Sequence, residues 1–466
     1  MLSLFLLVLA MGLFLGVSDS GNRLWMLIAA AVCVPLLFRL WPRVMGQAAR
    51  LGTVRVWLIL TGLCLAVKLG WVLAVRVPIE GDYFTYWEYA IKLAKEPTIR
   101  WGGRYITLFP HIFGYSHFLG LFIKILGPQE LLAPVLNVLL TACGGSFLFL
   151  LCRRLKGLQA AISAYLLWIL CPSQTMYNGL VCSEPLYTAL LLGFLLLVAE
   201  WDARGKAGWK GPAVGVLGGL VLWWMNTVRP IGAIPIIALV IWLVCLKQDG
   251  GRWRERSGKW LPLLGILLAV YLAMGPVWNA YFTSRLGKAP ASGKGYSILV
   301  GLNPRSGGTW NQEDADLLDY YKDQPGLTAQ EVQEKMGEAA RERLTSGEVN
   351  FPALLKAKLK VFLGSDDMCV VYSGAALSHD RWYRGASSGF YYLTVLLALW
   401  GAAVMWRRKE RSTATLAPLF VIGLTLAHML VEVAGRYHYA ILPALILIGQ
   451  YALFPGREPE LQKGED

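Results

Sequence analysis

The eleven residues Glu80–Ala90, Glu-Gly-Asp-Tyr-Phe-Thr-Tyr-Trp-Glu-Tyr-Ala, crowd carboxylates and aromatic rings directly after the apolar run Val56 to Val77. Spacing by four puts Asp82, Tyr86 and Ala90 on one face if the stretch is helical. A carboxylate held where an apolar segment meets water, among rings suited to the headgroup level, can act as a base on a hydroxyl. Asp82 is assigned that chemistry. The plainer alternative is an interfacial aromatic belt with incidental acids.

Other ionisable residues sit inside or at the ends of apolar runs, where burial is costly unless they are paired or wet. Glu184 opens a run after Cys182-Ser183; it either favours the helix dipole or shares a surface with Asp82. Arg229 stands between Asn226 and Pro230 in a turn too tight for it to reach open water, which asks for a ligand or a buried acid. Glu432, Arg436, Tyr437 and His438 form a late turn, Val-Glu-Val-Ala-Gly-Arg-Tyr-His-Tyr. Arginine binds phosphate oxygens bidentately; a local Arg436–Glu432 pair is the competing reading. Lys68, inside the third run, is expected to pair with a carboxylate of a neighbouring helix, with a place beneath a phosphate as the alternative. His111 and His117 lie in an aromatic segment where packing competes with a direct role.

These positions need a frame. Of 466 residues, 56% are hydrophobic and 16% are charged, against about a quarter charged in soluble domains. Long apolar runs recur, which excludes a soluble multi-domain protein and predicts an all-α polytopic membrane protein. Twelve spans are read, at about 2–17, 23–41, 55–77, 130–152, 157–175, 184–201, 212–228, 230–247, 260–283, 388–406, 413–433 and 437–455. The first lacks a basic start and a small-x-small cleavage site, so it is kept as a helix. The net charge of +14 comes from clusters such as Arg39/Arg43/Arg50/Arg55, Arg153/Arg154/Lys156, Arg204/Lys206/Lys210, Lys247 to Lys259 and Arg407/Arg408/Lys409/Arg411. They occupy alternate short loops, so the charge sets orientation and does not imply nucleic acid. Both termini are then cytoplasmic, and Asp82, Glu184, Arg229 and Arg436 share the outer face. The eight scattered cysteines support neither a disulfide framework nor a zinc site.

Four regions follow: an N-terminal hairpin (1–54), a core (55–283) with an outside loop at 78–129, a hydrophilic outside region (284–387), and C-terminal spans with a short tail (388–466). Within the first loop, Tyr105 to Leu126 reads as an interfacial helix broken by Pro110. Within the hydrophilic region, Thr328-x-x-Glu331 is a capping box. Phe351 to Leu363 reads as a helix resting on the bilayer. Gly301 to Gly308 reads as a loop rather than a phosphate cradle. An acid to take a hydroxyl proton, with cations for a leaving phosphate, is what transfer from a lipid-phosphate sugar needs.

The chain resembles a family. Asp82-x-x-x-Tyr86-x-x-x-Ala90 is followed by Phe109-Pro110, Gly127-Pro-Gln-Glu and Asn137. Then come Pro172, Ser183-Glu184, Asn226-x-x-Arg229-Pro230, Pro276-x-Trp278 and Arg436-Tyr437 with Pro443. Together, over most of residues 55 to 450, these are similar to the membrane glycosyltransferases of the C-type fold (GT-C), in the protein O-mannosyltransferase-like family 39 group that includes the aminoarabinose transferases. The resemblance implies inverting transfer from a polyprenyl-phosphate sugar to a glycan, lipid or protein acceptor, at the outer face of the cell membrane. It implies Asp82 and Glu184 as catalytic acids and Arg229 and Arg436 near the donor phosphate. Glu80, Tyr83, Tyr86, His111, Tyr437 and His438 complete the expected substrate site. Many relatives carry a second acid directly after the first; here Tyr83 stands there, with Glu80 two residues before Asp82. No cofactor is assigned, and a divalent cation (Mg or Mn) is left open. The large soluble C-terminal domain of some relatives has no counterpart, which leaves acceptor recognition to 284–387 and the interfacial helices. The alternative is a transporter or flippase of a lipid-linked sugar. Transporters tend to show internal repeats and midplane polar sites; no repeat is visible, and Lys68 is the polar exception.

Overall fold

The computed structural model describes residues 1–19, 21–99, 103–203, 210–247 and 253–456. Among them there is no strand. Each of the twelve apolar runs folds as helix. The N-terminal helices are α1 (Leu2–Val17), α2 (Gly21–Ala49) and α3 (Thr53–Ala74); the first connection holds α4 (Gly81–Lys95), α5 (Arg104–Leu108) and α6 (Pro110–Leu126). The core continues with α7 (Leu132–Lys156), α8 (Leu158–Leu170), α9 (Pro172–Tyr177), α10 (Glu184–Ala203), α11 (Lys210–Val228), α12 (Ala233–Ile241) and α13 (Trp253–Leu286). A hydrophilic region carries α14 (Gly295–Gly301), α15 (Gln312–Asp323), α16 (Ala329–Thr345), α17 (Phe351–Leu363) and α18 (Met368–Ser373). The chain then closes with α19 (Asp380–Arg407), α20 (Leu416–Leu430) and α21 (Leu442–Leu453). Among the described residues, eight helices are long and apolar enough to cross a membrane, and α1, α8 and Ala233–Leu246 are shorter apolar helices. The chain is an all-α polytopic membrane protein.

Successive connections alternate between two ends. At one end, Lys247 pairs with Asp202, Lys259 Nζ donates to the Asp202 carbonyl at 3.0 Å, and Trp242 Nε1 donates to the Arg411 carbonyl at 2.9 Å. These contacts bring residues 202, 242, 247, 259 and 411 together. Arg204, Lys206 and Arg252 lie outside the described residues, as do the side chains of Lys210, Arg254 and Arg256. At the opposite end meet the connections that carry Asp82, Glu184, Arg229 and Arg436.

Helix α4 forms as its sequence dictates. Asp82 lies in the first turn and Lys92 and Lys95 in the last, each favoured by the helix dipole. Tyr83, Tyr86, Ala90 and Leu93 make a buried stripe at helical spacing, and Asp82 sits beside that stripe, exposed. Pro110 breaks the first loop into α5 and α6 as expected. Two glycines on α6 then fix its position. A Cβ on Gly120 would fall 2.9 Å from the Ala90 carbonyl oxygen, and one on Gly114 would overlap the Thr227 carbonyl. Helix α6 is thereby wedged between α4 and the C-terminal end of α11, which brings Asp82 and Arg229 to one neighbourhood.

Two expectations meet a different structure. Lys68 finds no carboxylate among the described residues. Its ammonium donates to the Ile169 carbonyl at 2.8 Å and to Thr175 Oγ1 at 2.5 Å, beside the Cys171 carbonyl. It caps the C-terminal carbonyls of α8, where the orphan acceptors and the dipole favour a cation. Helix α17 does not lie free on a bilayer: Leu354, Leu359, Phe362 and Leu363 are buried, and a Cβ on Gly12 of α1 would overlap Leu363. Phe351 and Leu355 stay exposed. Cys369 is a free thiol, buried against Ser387 Oγ.

The capping box at Thr328 has both of its bonds, and Val332, Met336 and Ala340 of α16 pack on Leu108 and Tyr296. The Gly301–Gly308 segment is a closed turn. Its Arg305 and Ser306 amides donate to Asn303 Oδ1 at 3.0 and 3.3 Å, so neither amide is left to cradle a phosphate.

Candidate functional site

The site end is assembled by polar pins that hold each connection. Asn137 Nδ2 donates to the Leu180 carbonyl at 2.6 Å and Thr141 Oγ1 to Asn178 Oδ1 at 2.8 Å, which fixes the turn that delivers Ser183 and Glu184. Ser116 Oγ donates to the Tyr86 carbonyl at 3.0 Å, tying α6 to α4. Lys294 Nζ donates to the Pro230 carbonyl at 3.1 Å. Beyond the end of α20, Glu432 N donates to the Ser297 carbonyl at 2.8 Å and Val433 N to the Gly308 carbonyl at 3.0 Å. Lys358, buried, clamps the same turn by donating to the Gly301 and Met429 carbonyls at 2.9 and 3.0 Å.

Within this frame lie two ion pairs. Arg436 donates to the Asp82 carboxylate at 2.7 Å; the Asp82 side chain is 59% exposed and that of Arg436 16%. Arg229 binds the buried Glu184 carboxylate and donates from Nε to Ser183 Oγ at 3.2 Å. Tyr437 links them: the Arg229 and Arg436 guanidiniums lie 5.5 and 5.6 Å from the centroid of its ring. Arg436 also rests 5.6 Å from the Tyr372 ring, itself edge-on to Tyr83 at 5.4 Å. The Arg436 Nε–H is buried without a hydrogen-bond partner among the described residues, leaving a donor for an incoming anion.

Electrostatics sharpen the picture. Burial pushes the Glu432 carboxyl up to about 7, with Asp82 adding to the rise while Arg436 and Lys358 oppose it. Burial, then the charges of Arg229 and Arg436, pull His111 down to about 4, so its imidazole is neutral at pH 7. Burial raises the Tyr86 phenol to about 12, and its ring meets Tyr115 edge-on at 5.2 Å.

Of the residues read from sequence, Asp82, Glu184, Arg229, Arg436 and Tyr437 form one connected cluster, with Tyr83 reached through Tyr372. Glu80 is exposed at the start of α4 and makes no side-chain cap. His438 faces elsewhere. Its Nδ1 meets the Phe362 carbonyl at 2.9 Å and its Nε2 meets Asp366 at 2.8 Å, and the same carboxylate takes the Ser173 hydroxyl. With both nitrogens occupied and the ring stacked on Tyr391, His438 has no edge to offer a substrate. The expected alternative of an Arg436–Glu432 pair is not what the turn adopts, because Arg436 reaches across to α4.

Sequence reasoning missed Lys358, Tyr372 and the singular setting of Glu432. For Lys358 a signal existed: it is four residues from both Leu354 and Phe362, on the apolar stripe, whereas Lys356 and Lys360 flank it. Tyr372 carries no such mark. Among the described residues no three His, Cys, Asp or Glu side chains gather to hold a metal ion. Asp82 is engaged by Arg436, so the residues present do not make a ready cation site.

No protein-family model and no curated protein matches the chain. Among solved structures it is similar to the archaeal oligosaccharyltransferase AglB from Archaeoglobus fulgidus, in complex with an inhibitory peptide and a dolichol-phosphate, at 11% identity and a TM-score of 0.48. A second Archaeoglobus fulgidus oligosaccharyltransferase structure, a complex with Zn and sulfate, gives 12% and 0.49. ArnT from Cupriavidus metallidurans, bound to undecaprenyl phosphate, gives 14% and 0.34. These cover 86%, 85% and 86% of this chain, and 49%, 48% and 78% of those chains. The chain thus spans about half the length of the oligosaccharyltransferases, and a likeness this loose assigns no residue a role.

Proposed function

We propose that the chain is an inverting glycosyltransferase that moves a sugar from a polyprenyl-phosphate donor to an acceptor hydroxyl at the outer face of the cell membrane, with both termini cytoplasmic. One observation carries the reading. A solvent-exposed carboxylate, Asp82, is held by a largely buried arginine, Arg436, with a second arginine on the same Tyr437 ring, at one end of a membrane bundle. Asp82 faces the water from which an acceptor arrives, and the arginines are the groups an anionic leaving oxygen needs.

The chemistry is a single displacement. The acceptor hydroxyl gives its proton to Asp82 as its oxygen bonds to the anomeric carbon. The bond from that carbon to the phosphate oxygen breaks, and the electron pair leaves on polyprenyl phosphate. Arg436 meets that charge, first releasing Asp82, because the carboxylate and the phosphate compete for one guanidinium. Arg229, already paired with Glu184, adds field at short range, and Glu184 holds Arg229 rather than touching the acceptor. The transporter alternative loses its strongest support, since Lys68 is accounted for as a helix cap.

The test is incubation of the purified protein with a panel of polyprenyl-phosphate sugars. Release of polyprenyl phosphate that depends on Asp82 is expected. Movement of the lipid-linked sugar across proteoliposomes with no bond broken would replace this reading with the transporter.

A further inference from the structure

A separate cavity of about 420 Å³ opens between α5, the 288–290 segment and the start of α16. Three cations line it, Arg104, Lys288 and Lys322, and no carboxylate does; its floor is apolar, with Leu108, Leu327 and Val332. Arg104 donates to the Gln324 carbonyl at 2.8 Å and Lys322 is paired with Asp319, outside the lining, whereas Lys288 is exposed and has no partner among the described residues. The volume is that of a small-ligand pocket, and cations around an apolar floor suit a sugar ring that carries an anion. Every lining segment lies outside the membrane-crossing helices.

Helix α5 links the cavity to the neighbourhood of the site. Helix α5 contributes Arg104, Thr107 and Leu108 to it, while Tyr105 of the same helix feels the Asp82 carboxylate, which adds to burial in raising its phenol. The Leu108 carbonyl accepts from Gln333 Nε2 at 3.2 Å, and Gln333 Oε1 accepts from the amide of Tyr296, a residue that also senses Asp82. One short helix therefore lines the cavity and, at Tyr105, lies within electrostatic reach of the acid.

We propose that this cavity is the acceptor subsite and takes an acidic saccharide, one bearing a carboxylate or a phosphate. The proposal rests on the transferase reading, and its test separates the two. Binding is measured on the full-length protein in detergent at low ionic strength, with trigalacturonate, glucose 6-phosphate and neutral maltotriose as probes. At least one acidic probe is expected to bind about tenfold more tightly than maltotriose, and which one does so identifies the anion. Lys288→Glu, at a position with no structural partner, is expected to weaken that probe about tenfold, and added salt to weaken it further. Equal affinity for maltotriose, or an acidic probe that binds Lys288→Glu as tightly as the native chain, overturns the proposal. Release of polyprenyl phosphate by the native chain is followed in parallel. Its absence alongside intact acidic-probe binding refutes the transferase reading and leaves the cavity an acidic-saccharide site. Its presence alongside failed binding refutes the cavity alone.

Discussion

Replacing Asp82 by asparagine separates catalysis from structure because the contact it loses is weak. The Asp82–Arg436 bond is 2.7 Å, but the carboxylate is 59% exposed, and exposed pairs contribute about 0–1 kcal/mol. Asparagine keeps the shape and can still offer an oxygen to Arg436. The variant should therefore melt within about 1 kcal/mol of the native protein. Loss of a general base slows a reaction by about 10²–10⁴-fold, or about 3–5 kcal/mol of barrier. The two magnitudes differ enough to be told apart in one preparation. A second effect has the opposite sign: with no carboxylate competing for Arg436, donor KM should fall, by up to about fivefold for about 1 kcal/mol of relieved competition. The contrasting variant is Glu184→Gln. Its carboxylate is 4% exposed and holds a mostly buried arginine, so breaking that pair should cost about 3–5 kcal/mol and damage the fold itself. Thermal melting in detergent together with single-turnover release of polyprenyl phosphate decides. An Asp82→Asn protein that turns over within tenfold of native, or one that loses as much stability as Glu184→Gln, refutes the reasoning.

Other outcomes follow from the same contacts. Lys358→Met keeps the apolar stem but orphans one buried and one part-buried carbonyl, and at about 1–3 kcal/mol each it should lower stability by about 2–6 kcal/mol in a melting experiment. Glu432 titrates near 7 in the fold against an ordinary value of 4.5. The folded chain therefore binds more protons than the unfolded one between those values, and stability must fall as pH rises through that window. Glu432→Gln should flatten that slope, which melting at pH 5 and pH 8 measures. Tyr437→Leu removes the ring shared by two guanidiniums. At about 0.5–2 kcal/mol per contact it should weaken donor binding more than it lowers the melting temperature, as KM against melting would show. Gly114→Val would drive a side chain into the Thr227 carbonyl, separating α6 from α11 and abolishing activity together with stable folding.

The apolar runs made the helices readable, since a stretch of that length without charge has few other fates. Asp82, Glu184, Arg229 and Arg436 were readable for a related reason: charge at the end of an apolar run is costly and demands a partner. What sequence could not supply was the pairing. Arg436 has Glu432 four residues away and yet reaches Asp82, 354 positions distant, because the Ser297 and Gly308 carbonyls fix the backbone of residues 432 and 433. Lys68 escaped because backbone carbonyls at the end of a helix leave no mark in composition. His438 was misassigned because it adjoins Tyr437, and adjacent residues in a tight turn face different surroundings.

The arginine that grips Asp82 lies in the connection after α20, the last one between helices among the described residues. A nascent chain can insert nearly all of its helices while the acid on α4 still lacks its counterion. The pair between Asp82 and Arg436 can form only once residue 436 has been made. A chain stalled before residue 436, however well embedded, would hold an acid on α4 with no arginine to grip it.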